Sequence, residues 1–523
     1  MKDQQKTIIG GMTVLSLVGL ICKVVGAFYR VPLAWIIGEE GLATYQLVFP
    51  TYNMLLTISS AGLPVAISHM VSAMLAKEDP RGAKRLFRVS LCILSAFGCV
   101  AMILMIVASP ALARRSGDLA TEPGFVAIAP ALLLVCAMSA LRGFIQGQQN
   151  MVPTAISQLI EQVGKVFIAL PLSWLGMKIS VAYAAAGVLL GTSIAEGVAL
   201  LYMFIVYCKK RSAFAALPQN PDLPEQKGLS YAKPLMAMSI PITIGSCIVP
   251  LAAFIDSGLL LNRLMDAGLE LSVAKPLYGR YSGYVLTLIN VPTAMATAIS
   301  MSMVPSVSHS MTRGDEEGVR HQTLLGLRLA FLVGLPCSIG MSLLSREVLS
   351  LIYPFHTAAD LEITANLLSI SSMTIVLFTA VQATSGILEG LHRERIPMYT
   401  LAIGVAVKVL LNYTLIGTPS INIFGAPIAS VVCYSLSMIP NLYYVHKHTG
   451  LKPQWVDVFL KPLAAAVAMG AVLLALQKLL PSGRLVTLLL VAVGVVAYGV
   501  FAILFGAITK EELQPLKRRL LRR

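Results

Sequence analysis

Charge is scarce in this sequence. Asp, Glu, Lys and Arg make up 12% of its 523 residues, about half of the ~25% usual in soluble domains. That shortage excludes a soluble globular chain of this length. Acid is scarcer than base, 25 residues against 40, for a formal net charge of +15. The surplus of base sits mainly in short loops and the tail, so membrane topology explains it and no nucleic-acid partner is expected. The eight cysteines show no C-x-x-C spacing, and nearly all lie inside apolar runs. Neither a metal site nor a disulfide framework is therefore expected. The sequence also lacks a nucleophile–base constellation, a metal-ligand cluster and a phosphate-binding Gly loop, so nothing supports an enzyme or a bound cofactor. The N-terminal run continues past Lys23 without a small-residue cleavage site and reads as an uncleaved first helix.

What is present is apolar: 56% of residues are hydrophobic and the mean hydropathy is +0.78. A spanning helix needs roughly 20 mostly apolar residues, whereas barrel strands are shorter and alternate. The runs here are long and continuous, so the expected fold is an all-α integral membrane protein. Fourteen spans are expected, at 8–36, 43–75, 87–110, 125–147, 154–176, 181–207, 232–262, 280–310, 323–345, 364–390, 397–416, 423–445, 457–479 and 485–508. The first two are overlong and hold Pro32, Pro50 and Pro64, so a tilt or break is expected there. Lys and Arg gather at 2–6, 77–88, 209–227, 393–395, 447–452 and in the tail, while Arg114 and Arg115 are an exception. The bias puts both termini in the cytoplasm. The basic, proline-bearing loop 208–231 divides an N-terminal six-helix half, 1–207, from a C-terminal half, 232–446. Two extra helices and the basic tail occupy 447–523.

The halves repeat one another. In "RGFIQGQQNMVPTAISQLIEQVGKV" (142–166) and "SGILEGLHRERIPMYTLAIGVAVKV" (385–409), Gly143, Gly147, Pro153 and Lys165 match Gly386, Gly390, Pro397 and Lys408. One residue of slack is needed at the prolines. In "VSAMLAKEDPRGAKR" and "VSHSMTRGDEEGVRH", a constant offset from Val71 to Val307 aligns Asp79 with Asp315 and Gly82 with Gly318. Six spans per half leave the orientation unchanged. The halves are therefore parallel repeats about a pseudo-two-fold axis along the membrane normal, an arrangement that marks transporters.

The span plan resembles the multidrug/oligosaccharidyl-lipid/polysaccharide exporter superfamily. The stretches "IGEEGLATYQL" (37–47), "GLPVAIS" (62–68), "LRGFIQGQQNMVPTAISQLIEQVGKV" (141–166) and "YAAAG" (183–187) resemble its polysaccharide-biosynthesis branch, which includes stage V sporulation protein B. The resemblance implies a relative of the lipid II flippases. These turn an undecaprenyl-pyrophosphate-linked cell-wall precursor from the inner to the outer leaflet of a bacterial cytoplasmic membrane, for spore cortex or peptidoglycan. It also implies cell-wall synthesis proteins and membrane lipids as partners.

Charges inside spans are costly and need a reason. Lys23 and Arg30 share a stripe of the first span. Arg142 lies near the inner end of the fourth. Glu161 and Lys165 are spaced i, i+4 on the fifth, in the order that suits an intrahelical ion pair. Arg280 begins the eighth, and Lys408 repeats the position of Lys165 without a Glu at Gly404 or Val405. Lys23, Arg30, Arg142, Lys165, Arg280 and Lys408 are therefore the expected substrate-binding groups, with Glu161, Glu196 and Asp256 as charge partners in the cavity wall. Basic groups outnumber acidic ones within the spans, which favours an anionic, lipid-linked substrate over a drug/cation antiport. Transport is expected to be coupled to an ion gradient or the membrane potential.

Overall fold

The computed structural model describes residues 2–215, 217–221, 228–451, 454–481 and 483–508. At 2–17, 20, 23, 24, 27, 213, 215, 228 and 229 only the backbone is described. Among these residues the chain is helical, without a strand. By contact it forms two compact units, Met1–Gly279 and Arg280–Arg523.

The first unit holds α1 (Lys2–Ser60), α2 (Leu63–Ala76), α3 (Pro80–Val107), α4 (Ser109–Ser116), α5 (Glu122–Gly147), α6 (Val152–Gly164), α7 (Leu170–Met177), α8 (Val181–Ala215), α9 (Ala232–Ser246), α10 (Ile248–Asp266) and α11 (Leu271–Gly279). Its core lies where α2, α3, α5 and α8 meet, through Ile67, Leu86, Leu94, Leu141 and Met203. The expected loop 208–231 needs correcting at its start, because residues 208–215 continue α8; helices α9 to α11, beyond it, pack on α1 and α2 and so group with this unit. The second unit holds α12 (Leu286–Thr312), α13 (Glu316–Leu343), α14 (Ser345–Ile352), α15 (Ala358–Gly390), α16 (Arg395–Ile416), α17 (Gly425–Thr449), α18 (Lys461–Leu479) and α19 (Arg484–Leu504). Val307, Phe331, Ile387, Leu388 and Val445 fill its core.

Thirteen helical stretches among the described residues are long and apolar enough to cross a membrane. The first expected span, 8–36, is helical backbone inside α1, and most of its side chains lie outside the described residues. The break expected in the second span, 43–75, falls between α1 and α2, with Pro64 in the first turn of α2, but at Pro32 and Pro50 the expectation needs correcting. Helix α1 runs through Pro32 and Pro50 and kinks instead at Gly38, whose φ of 65° and ψ of −171° are non-helical. That backbone region is open essentially to glycine alone. The expected seventh span, 232–262, is interrupted at Cys247, between α9 and α10.

The sequence repeat is a repeat of backbone contacts within each unit. A Cβ on Gly143 would fall 2.8 Å from the Pro64 carbonyl oxygen, and one on Gly147 would fall 2.6 Å from Val71 Cβ. In the second unit a Cβ on Gly386 would fall 2.7 Å from the Ser300 carbonyl oxygen, and one on Gly390 would fall 2.8 Å from Val307 Cβ. Such approach between helices requires the missing side chain. The turns match as well. Glu78 and Gly314 both take positive φ, as do Gln149 and His392. Asp79 and Asp315 then cap the next helix, each accepting from the amide three residues on at 2.8 Å.

Candidate functional site

The first unit gathers charge between α1, α5, α6 and α8. Arg142, near the end of α5, donates through Nε to Ser157 Oγ at 3.0 Å and through Nη2 at 2.7 Å. Its Nη2 also pairs with Glu161 on α6. Both charged side chains are well buried, at 14% and 12% exposure. Ser157 Oγ in turn donates to the Thr154 carbonyl at 2.7 Å, which holds the hydroxyl in place for the guanidinium. Glu196, on α8 and 4% exposed, lies close enough to Glu161 for the two carboxyl groups to act on each other. The Lys165 and Arg142 charges act on Glu196 as well. From α1, Cys22 and Tyr52 face the same field.

Glu161 reaches Arg142 on the neighbouring helix, so the intrahelical pair with Lys165 expected from the spacing needs correcting. Lys165 opens a π-helical segment, Lys165–Ala169. The turn before it is α-helical, the Lys165 amide donating to the Glu161 carbonyl, so the two residues keep their i, i+4 spacing and the Glu161 carboxylate goes to the Arg142 guanidinium instead. The segment is seated on α8, where a Cβ on Gly191 would fall 2.3 Å from Ala169 Cα. In the second unit, Gly404 stands four residues before Lys408. A Cβ there would fall 2.6 Å from the Cys433 carbonyl oxygen and 2.7 Å from Ser437 Oγ. Helix α17 therefore closes the place where α6 carries its carboxylate.

The other expected site residues are dispersed. Lys23's side chain lies outside the described residues. Arg30, half-buried on α1, acts on Tyr29 and Tyr45. Asp256 is half-buried on α10, and Lys408 half-buried on α16. Arg280, only 5% exposed, pairs with Asp360 inside the second unit.

Sequence reasoning missed a second polar cluster in the first unit, at the end opposite the basic 77–88 loop. Lys275 Nζ on α11 lies 2.7 Å from Asp118 Oδ2, with side chains 13% and 6% exposed. Asp118 Oδ1 accepts from the Ala120 amide at 3.0 Å. Arg115 donates to the Phe254 carbonyl at 2.8 Å and stacks its guanidinium 3.8 Å above the Phe254 ring. Asn262 donates to the Arg115 carbonyl at 2.8 Å. These bonds give Arg115 a structural role, which accounts for one of the two exceptions to the charge bias.

Residues 8–311 match the family described as "Polysaccharide biosynthesis protein". The chain belongs to that family. Residues 282–414 also match the MatE family. The polysaccharide biosynthesis chain is 26% identical to Stage V sporulation protein B of Bacillus subtilis (strain 168), over 98% of each protein. It is 27% identical to Lipid II flippase MurJ of the same strain, over 84% of this chain and 82% of that one. Among solved structures, an inward closed conformation of Lipid II flippase MurJ superposes with a TM-score of 0.71 at 12% identity, covering 94% of this chain and 98% of that one. An inward-facing multidrug resistance MATE transporter of the MOP superfamily gives 0.68 at 16%, covering 83% and 98%. The protein thus has the fold of the MOP superfamily and is a multi-pass membrane protein; of the relatives named, MurJ is a flippase and the MATE protein a transporter.

Proposed function

We propose that this protein is an alternating-access flippase for an undecaprenyl-pyrophosphate-linked cell-wall precursor of the lipid II type, or a related polysaccharide intermediate. It works in a bacterial cytoplasmic membrane, with both termini in the cytoplasm. The observation that carries this reading is Arg142, a largely buried guanidinium near the end of α5, held by Ser157 and Glu161. A guanidinium fork suits two phosphate oxygens. A pyrophosphate entering this site takes Arg142 from Glu161 and leaves that carboxylate without its partner. Beside it stands the buried carboxyl of Glu196, and transport in this reading is coupled to an ion gradient or the membrane potential. The names of the relatives support the substrate class.

The same two carboxyl groups favour a second reading, a multidrug/cation antiporter, because cationic drugs need intramembrane carboxylates. Liposomes carrying the purified protein separate the two. Labelled lipid II should become accessible in the opposite leaflet, and a cationic dye should stay in place. Dye export without lipid movement overturns the flippase reading.

A further inference from the structure

An apolar cleft of about 730 Å³ opens in the second unit between α13, α15, α17 and the π-helical segment Val456–Leu460 that leads into α18. Leu335, Val376, Met438, Leu442 and Phe459 form its walls. Among the described residues the polar side chains that line it are His446, Gln454, Trp455 and Tyr443. The walls away from them offer water no partner, so the occupant there is apolar.

The depth of the cleft selects the occupant. On α17 the lining runs from Met438 to His446, and on α13 from Leu327 to Leu335. Eight residues of α-helix rise about 12 Å, whereas half of a ~30 Å hydrocarbon core is about 15 Å. The cleft is therefore one leaflet deep. Its polar end is the end where α17 finishes at Thr449 and α13 begins at Glu316. Trp455 and Tyr443, 50% and 60% exposed, stand at the aromatic-belt level of that end. Lys447, on the same last turn of α17, is exposed and basic. Such a rim attracts a lipid phosphate. A polyprenyl tail is far longer than one leaflet, whereas an acyl chain matches the depth of the cleft.

We propose that this cleft is a binding site for one acyl chain of a phospholipid from the leaflet on the basic-loop side, held as a resident lipid that completes the packing of the second unit. The proposal concerns the scaffold and is independent of which substrate the protein moves.

The full chain, purified in mild detergent and weighed by native mass spectrometry, should retain about one phospholipid per chain. Val376→Phe with Met438→Phe fills the cleft and should lower that retention at least fivefold, with folding checked by a cooperative melt. Leu474→Phe, on the exposed side of α18, should retain the lipid as wild type does. Retention of a polyprenyl lipid instead, absence of any lipid, or equal retention in the filled variant overturns the assignment. If the filled variant does not fold, Trp35→Phe with Trp174→Phe leaves Trp455 as the single tryptophan for a second measurement. Its fluorescence should be quenched by phospholipids brominated on the acyl chain, saturating at a low mole fraction. Quenching that only tracks the mole fraction marks ordinary surrounding lipid and also overturns the proposal.

Discussion

Arg142 on α5 and Glu161 on α6 form a desolvated ion pair across two helices, with Ser157 bonded to the same guanidinium. Removing one member leaves the other buried without its counter-charge, a loss of about 3–5 kcal/mol. Glu161→Gln should therefore lower the melting temperature of the purified protein clearly more than Glu161→Gln combined with Arg142→Gln. Equal melting of wild type and both single variants would show the pair to be solvated. Arg142→Lys keeps charge but loses the fork, and should slow lipid movement per folded molecule at least tenfold in liposomes.

The Lys275–Asp118 pair ties α11 to the segment after α4. Asp118 also caps the turn at Ala120, so its loss removes two interactions where loss of Lys275 removes one. Asp118→Ala should destabilise the protein by about 1 kcal/mol more than Lys275→Met, and the double variant should be milder than Asp118→Ala alone, because no unpaired buried ammonium remains. Thermal melts of the three proteins check the order.

Gly147 and Gly390 are predicted to be equivalent. Leucine at either should cost about 1–3 kcal/mol, as overpacking does, because the added side chain meets Val71 or Val307. Val71→Ala should recover part of the loss for position 147 and none for 390, and Val307→Ala the reverse. Cross-recovery would mean that the contacts are not separate.

Orientation is tested with a cysteine-free background. Cysteine at Arg211, exposed at the end of α8, should label only after permeabilisation, and cysteine at the exposed Glu40 should label in intact cells. Labelling of both from outside refutes cytoplasmic termini.

What could be read from the sequence was what a few neighbouring residues decide. The Gly143/Gly147 and Gly386/Gly390 stretches, and the Asp79 and Asp315 caps, are local signals, and each recurs at the expected place. The partner of Glu161 could not be read, because the i, i+4 rule offers Lys165 at no chain-entropy cost and says nothing of an arginine one helix away. The π turn at Lys165 leaves no mark in composition. Asp118 and Lys275 are far apart in sequence, each at a helix end where charge looks like ordinary loop polarity. Pro32 and Pro50 drew attention from Gly38, where only a backbone angle marks the kink.

The tight seat of Gly404 against α17 also bears on how such a protein can change. The two repeats are not equal targets for variation. At position 161 a carboxylate can be traded for another polar group without displacing a backbone, provided that Arg142 finds a new partner. At 404 even a methyl group must displace a neighbouring backbone before any new chemistry is tried. New side-chain chemistry is thereby open to one copy, and the other is inherited as frame.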